Sequence, residues 1–167
     1  MAVIFRIPIT SQGSLAIAPR PRGGDWLEDD IADLARSGVR VLVSMLREDE
    51  QHELGLQGEA AACSRCQIEF VPVPVPDLGA PTDGEAFIRA VHGLADRIRT
   101  GASIAMHCRQ SVGRSGMLAV SIAVALGVPL ESALADVSRA RGVSVPETKE
   151  QIDWLRRNAA ALSGAVS

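Results

Sequence analysis

Two runs constrain the fold more than anything else in this chain. Val39–Leu46 (VRVLVSML) and Ser103–Met106 (SIAM) are short and almost wholly apolar. Neither shows the in–out alternation of a strand with one wet face, so both predict strands covered on both sides. Between and around them lie segments with helical periodicity. Asp25 with Glu28 three residues later predicts a helix start, and Leu27, Ile31 and Leu34 form one apolar stripe up to Ser37-Gly38. Gln57–Cys66 reads as a helix and Gln67–Val73 as a strand. Thr82 to Glu85 fits a capping box that opens a helix carrying Phe87, Val91, Leu94 and Ile98 on one face. Arg114–Leu126, Leu130–Arg141 and Thr148–Leu162 are the remaining helices, and Val3–Ile9 and Leu15–Ala18 are short strands near the N-terminus. Strands that alternate with helices, with no hairpin signals between the central ones, predict an α/β fold. Its centre is a mostly parallel β-sheet flanked by helices on both faces.

Length and composition bound the function. At 167 residues the chain is expected to be one domain over 1–167, with 164–167 as a tail. A net charge of −3 provides no basic field for nucleic acid, and the longest apolar run, Met117 to Val128, is too short to span a bilayer. The first ten residues, MAVIFRIPIT, lack the pattern of a secretory leader. Three cysteines argue against a disulfide framework. These features predict a cytoplasmic monomer with no cofactor, no metal, no nucleic-acid partner and no membrane span. The cluster REDEQHE around His52 reads as a loop or short helix with a solvated face. The tract VPVPVPD, 71–77, reads as a strand that ends or runs along a sheet edge, because proline cannot donate to a ladder.

The stretch SIAMHCRQSVGRSGMLAV, 103–120, carries the chemistry. A buried strand ends at His107, a tight loop follows Cys108, and a helix begins near Arg114. Ligands of parallel sheets bind beyond the carboxyl ends of strands. The first turn of a helix leaves N–H groups unpaired, with the positive end of its dipole beside them. A loop feeding such a helix can aim several N–H groups at one point, which is a phosphate cradle. Arg114 adds a planar fork for two phosphate oxygens. A thiol at a helix N-terminus beside cations ionises more readily, so the same field that binds an oxyanion is expected to hold Cys108 as a nucleophilic thiolate. Arg109, Gln110, Ser111, Val112, Gly113 and Arg114 are the expected substrate-binding residues. Ser115 is expected to donate to the sulfur, and the His107 ring to hold the loop backbone. Other phosphate and nucleophile patterns fail: no Gly-Lys pair makes a nucleotide loop, and Met117 stands where a serine elbow needs its second glycine.

With these residues in view, HCRQSVGRSG resembles the His-Cys-x5-Arg-Ser/Thr signature loop of the cysteine-based protein tyrosine and dual-specificity phosphatases. One departure is Ser111, where many members have glycine. VPDLGAP resembles the family's general-acid loop, with Asp77 as the acid and Pro81 closing it. PETKEQIDWL resembles the helix that carries a water-positioning glutamine. The likeness spans about Val39 to Leu155, and the segment before it resembles small bacterial members. It implies a phosphatase fold and a two-step, metal-free reaction on a phosphoprotein or phosphopeptide. Cys108 forms a phosphocysteine, Asp77 serves as acid and then base, and Arg114 holds the transferring oxygens.

Some assignments stay open at this stage. Glu147 stands where many tyrosine phosphatases have the water-orienting glutamine; it also completes a capping box with Ser144, and Gln151 one turn on can position water instead. No aromatic clamp for a deep phosphotyrosine slot is present, which predicts dual specificity. Arg109 suits a more anionic substrate, such as a phosphoinositide or another small phosphate ester. A phosphate-binding module without turnover is the reading from another class. Asp83 and Glu85 also lie near the end of the Val-Pro tract, so proximity alone does not choose, but the expected capping box and the first helical turn occupy them, whereas Asp77 has no such partner in the sequence. The pair Cys63-x-x-Cys66 reads as helix packing, with a redox role open.

Overall fold

The computed structural model describes residues 2–164. Five strands form one sheet in the order β1-β2-β5-β3-β4. They are β1 (Phe5–Ile7), β2 (Ser14–Ile17), β3 (Val41–Ser44), β4 (Glu69–Pro72) and β5 (Ser103–His107). β1 pairs antiparallel with β2, and every other pairing is parallel. The two runs without alternation are adjacent at the centre: Val41 lies opposite Ile104, Val43 opposite Met106 and Ser44 opposite His107. Their side chains divide between two cores. Val41, Val43, Ile104 and Met106 enter one, and Leu42 and Ala105 enter the other. Burial on both faces is why these strands need no polar alternation.

Two helices cover the second face, α1 (Leu27–Arg36) and α3 (Glu59–Arg65), while the short α2 (Glu48–Glu53) between them buries only Glu50, against Arg114. Leu27, Ile31 and Leu34 of α1 meet Ala62 and Cys63 of α3 there. The other face carries α4 (Gly84–Arg99), α5 (Gly113–Ala125), α6 (Leu130–Arg141) and α7 (Lys149–Ser163). α5 is the axis of this layer, and every one of its residues is buried. Its small side chains allow that: a Cβ on Gly116 would stand 2.7 Å from Cβ of Val145. Phe87 of α4 and Trp154 of α7 pack edge to face, ring centroids 5.1 Å apart.

The expected elements are present, with differences at their ends. A 3-10 turn, Gly24–Trp26, precedes α1, so Trp26 and not Asp25 occupies its N-cap. The expected capping box at Thr82–Glu85 does not form: Asp83 is itself the cap of α4 and accepts from Ala86 N at 3.0 Å. Nor does Ser144 cap with Glu147. The box that opens α7 is Thr148 with Gln151. β4 is an edge strand that stops at Pro72, as the prolines demand. Gly164 ends α7 in the left-handed conformation, φ 74°, while residues 165–167 of the expected tail lie outside the described residues. Among the described residues no helix is long and apolar enough to cross a membrane.

Candidate active site

Cys108 follows directly on β5, the middle strand, and α5 starts five residues later. The loop between them is polarised. Its N–H groups, from Arg109 to Ser115, meet no protein acceptor among the described residues, and the first helical bond runs from Gly116 N to Val112 O at 3.0 Å. Its carbonyls, by contrast, are all engaged from Cys108 to Val112. His107 Nδ1 lies 3.4 Å from Cys108 O, Arg20 donates to Arg109 O, Arg141 donates to Gln110 O and Ser111 O, and Gly116 takes Val112 O. Peptide dipoles held by their oxygens leave a row of open donors, which is what an anion cradle requires. Gly113 permits a close approach: a Cβ there would come within 3.1 Å of both Gln151 Oε1 and Glu147 Oε2.

Arg114 is 1% exposed, unusual for a charged side chain. Its Nη1 donates to Glu50 Oε2 at 2.7 Å, Met45 O at 3.2 Å and Val75 O at 2.9 Å, and its Nη2 donates to Glu50 Oε1 at 2.8 Å. Burial opposes its charge, but the Glu50 bonds, the charge of a Cys108 thiolate and Asp77 outweigh that and raise its affinity for the proton. Burial likewise pushes the Glu50 carboxyl up. Bonds from Arg114 and Arg47 N, with the charges of Arg114 and Arg109, overcome it and hold Glu50 below the ordinary carboxyl value. The REDEQHE cluster is therefore not a uniformly solvated face: Glu50 turns inward at 6% exposure while its neighbours stay wet.

Three buried side-chain atoms among the described residues have no partner: Arg114 Nε, Ser115 Oγ and Glu59 Oε2. The first two belong to the signature loop. A buried, unsatisfied polar group is costly and calls for an explanation, and an oxyanion in the loop would supply one for Arg114 Nε. The expected hydrogen bond from Ser115 to the Cys108 sulfur is not made, since Ser115 Oγ has no partner. The third lies behind the loop. Glu59 Oε1 is 2.5 Å from His107 Nε2, both side chains fully buried, so a carboxylate fixes the ring whose other nitrogen faces Cys108 O.

Asp77 stands at the mouth. Its Oδ1 is 3.1 Å from Arg114 Nη2, and its Oδ2 is 3.7 Å from Arg109 Nε. The expectation that Asp77 lacks a partner is thus corrected: its partners lie 32 and 37 residues away in the chain, beyond the reach of any local pattern. The acid loop is braced from α7. Thr148 Oγ1 donates to Leu78 O at 3.1 Å and Gln151 Nε2 to Gly79 O at 3.1 Å. Gln151 Oε1 also accepts from Glu147 N and Thr148 N. Gln151 is thus committed to backbone bonds on two segments and lies against Gly113.

Arg109 is less available than its loop position suggested. Glu53 binds it at 3.1 Å and Glu50 at 3.4 Å, beside the Asp77 contact. Gln110 is exposed at the rim, and Val112 is half-buried. Cys63 and Cys66 are free thiols. Burial above all, with Glu59 and Cys66 nearby, pushes Cys63 up to about 12, which leaves it a packed and unreactive group. Sequence reasoning did not find Glu50, Glu59, Arg20 or Arg141. Only Glu59, an acid opening the apolar run EAAAC, carries even a faint local signal.

No curated protein sequence matches the chain. Solved structures do. A kinase associated phosphatase with its catalytic-site cysteine replaced by serine superposes with a TM-score of 0.87 at 16% identity, covering 99% of this chain and 98% of its own. Tk-PTP in its active form gives 0.73 at 23% identity, with 97% and 98% coverage. TpbA from P. aeruginosa gives 0.63 at 16%, with 96% and 95%. These likenesses establish the fold of the cysteine-based tyrosine and dual-specificity phosphatases. A protein-family profile described as "Polymorphic toxin system, DSP-PTPase phosphatase" matches residues 17–128, which include the signature loop, the acid loop and the central strands, and the chain belongs to that family.

Proposed function

We propose that residues 1–167 form one phosphatase domain that hydrolyses phosphotyrosine esters, and phosphoserine and phosphothreonine esters as well, through a phosphocysteine intermediate. The observation that carries this reading is the run of unbonded N–H groups from Arg109 to Ser115 around Cys108, with Arg114 Nε buried and unpartnered beside it. The loop N–H groups and the Nε–Nη2 edge of Arg114 take the phosphate oxygens, which requires Asp77 to release Nη2. The Cys108 thiolate attacks phosphorus; an S–P bond forms, the ester P–O bond breaks, and Asp77 delivers a proton to the leaving oxygen. In the second step a water gives its proton to Asp77 and attacks phosphorus, the S–P bond breaks, and Ser115 Oγ steadies the departing thiolate. His107 and Gln151 hold backbone in this scheme. Gln151 links the acid loop to the helix start, and its role in placing water is secondary to that brace.

Substrate class follows from the rim. The five aromatic residues of the chain, Phe5, Trp26, Phe70, Phe87 and Trp154, lie outside both the signature loop and the acid loop. Leu78, 54% exposed beside Asp77, is the apolar surface that a substrate side chain meets. A rim of this kind favours neither a ring nor an alkyl chain strongly. On matched phosphopeptides, kcat/KM is expected to favour tyrosine by less than about a thousandfold, some 4 kcal/mol of transition-state discrimination. A larger preference argues for a deep slot. Arg109 is already neutralised by Glu50, Glu53 and Asp77, which disfavours a polyanionic lipid or inositol phosphate. Hydrolysis of an aryl phosphate in the presence of a chelator separates the enzyme from a binding module.

The acid is tested by leaving group. Asp77→Asn should lower kcat about a hundredfold or more for tyrosyl or alkyl phosphates, and far less for an activated aryl ester whose phenolate leaves unaided. Asp83 caps α4 and is committed there. If Asp83→Asn or Glu85→Gln shows the leaving-group dependence and Asp77→Asn does not, the acid is misassigned.

A further inference from the structure

A loop of convergent N–H groups does not hold itself in shape. Isolated peptides would rather turn their oxygens to whatever donor is near, and water is near at this rim. What fixes the orientation here is the outer side of the loop. Arg20 Nη1 donates to Arg109 O at 3.2 Å; Arg141 Nε donates to Ser111 O at 2.8 Å and its Nη2 to Gln110 O at 3.3 Å. Three consecutive carbonyls are thus tied by two arginines. Each tie turns the following N–H toward the opposite side, because the two groups of one peptide point apart.

Ser111 is the pivot. It has φ +54°, a left-handed conformation that favours glycine. It is also 1% exposed. Its Oγ donates to Ala18 O at 2.6 Å, and its own carbonyl is the one that Arg141 Nε binds. The hydroxyl does what a glycine cannot: it anchors the left-handed residue to the segment just past β2. Ala18 and Arg20 grip the loop from that segment, and Arg141 grips it from the last turn of α6, its guanidinium stacked 4.4 Å from the Phe5 ring of β1. Neither arginine forms an ion pair among the described residues, so both keep their charge for the carbonyl side of the loop.

We infer that Arg20, Ser111 and Arg141 are positioning residues that preorganise the oxyanion cradle, replacing the conformational freedom of a glycine with a clamp on the loop's carbonyls. Their side chains touch neither substrate nor sulfur; they set where the N–H groups point, and so act on ground-state anion and transition state together. The inference rests on the phosphatase reading above.

The test compares Arg20→Gln, Arg141→Gln, Arg141→Lys, Ser111→Ala and Ser111→Gly with the native chain. It reads inhibition by orthovanadate, kcat/KM on an aryl phosphate, and the unfolding midpoint. For Arg141→Gln, vanadate affinity and kcat/KM should fall together by about 10- to 100-fold, the range for losing hydrogen bonds from a charged donor, with the protein still folded at assay temperature. Arg141→Lys should recover part of the loss, since an ammonium can hold one carbonyl but lacks the fork. Arg20→Gln, with one bond at stake, should lose less than Arg141→Gln. Ser111→Ala should be worse than Ser111→Gly, because alanine keeps the strained φ without its anchor while glycine relieves it. A role in packing alone predicts the reverse order. Vanadate affinity within twofold of native in both glutamine variants, or glycine worse than alanine at 111, overturns the clamp while the phosphatase reading stands. A native chain that neither hydrolyses aryl phosphate nor binds vanadate overturns the phosphatase reading and the clamp with it.

Discussion

Cys108→Ser is expected to remove turnover, by at least about four orders of magnitude or ~5.5 kcal/mol of barrier, and to leave vanadate binding in place. The two halves of that result have separate causes. In the proposed route the sulfur is the part of the site that forms a covalent bond, and a hydroxyl in its place is a weak nucleophile at its own pKa. The cradle, by contrast, is backbone N–H from Arg109 to Ser115 together with Arg114, none of which the substitution touches. Cys108 is 2% exposed, and serine is close to it in volume, so the unfolding midpoint should move little. Stopped-flow hydrolysis of an aryl phosphate and calorimetric titration with vanadate measure the two halves. Residual hydrolysis within a hundredfold of native sinks the phosphocysteine route; loss of vanadate binding along with turnover shows that the cradle depends on the thiolate.

Arg114→Lys should lower kcat/KM by about 10²–10³, comparable with loss of a preorganised donor at a developing charge. An ammonium keeps the charge, but not a planar edge that can face Glu50 with one pair of N–H groups and phosphate with another. The variant also leaves Glu50, 6% exposed, with fewer donors than its oxygens accept now, so stability should fall alongside activity. The pH dependence makes that coupling visible. Glu50 is held below the ordinary carboxyl value of 4.5, because its hydrogen bonds and cationic neighbours outweigh burial. A carboxyl with a depressed folded value contributes stability that is present above the ordinary value and lost as pH falls through the folded one. Denaturant titrations of the native chain should therefore show stability falling with acid below about pH 4.5, and Glu50→Gln should flatten that slope. A slope unchanged in Glu50→Gln, or an Arg114→Lys enzyme within threefold of native, contradicts the roles given to this pair.

Much of the molecule was legible along the chain. The runs at 39–46 and 103–106 predict central, doubly covered strands, and β3 and β5 are adjacent in the middle of the sheet. Their apolar residues face both ways, and that pattern survives any detail of packing. The Val-Pro tract predicts a strand that ends or runs along an edge, and β4 does both, since a missing N–H is a local fact. The strand-loop-helix around Cys108 is equally local, so the candidate nucleophile, the loop donors and the Arg114 fork lie within eight consecutive residues, 108–115.

Helix starts were less legible. Asp25, Thr82 and Ser144 each offer a side chain suited to a cap, but Trp26, Asp83 and Thr148 hold those places. Neighbouring candidates differ by fractions of the energy that tertiary docking of the helix contributes, so docking chooses among them. The partners of the site were not legible at all. Glu50 reaches Arg114 across 64 residues, Glu59 reaches His107 across 48, Arg20 reaches Arg109 O across 89, and Arg141 reaches Ser111 O across 30. An acid in REDEQHE looks like any solvated acid until the fold turns one of them inward. By itself the sequence determined the sheet centre, the candidate nucleophile and the candidate oxyanion loop, because each depends on residues adjacent in the chain. The tertiary structure alone decided which charges face that loop and which carbonyls are tied behind it, because a buried charge finds its partner through space.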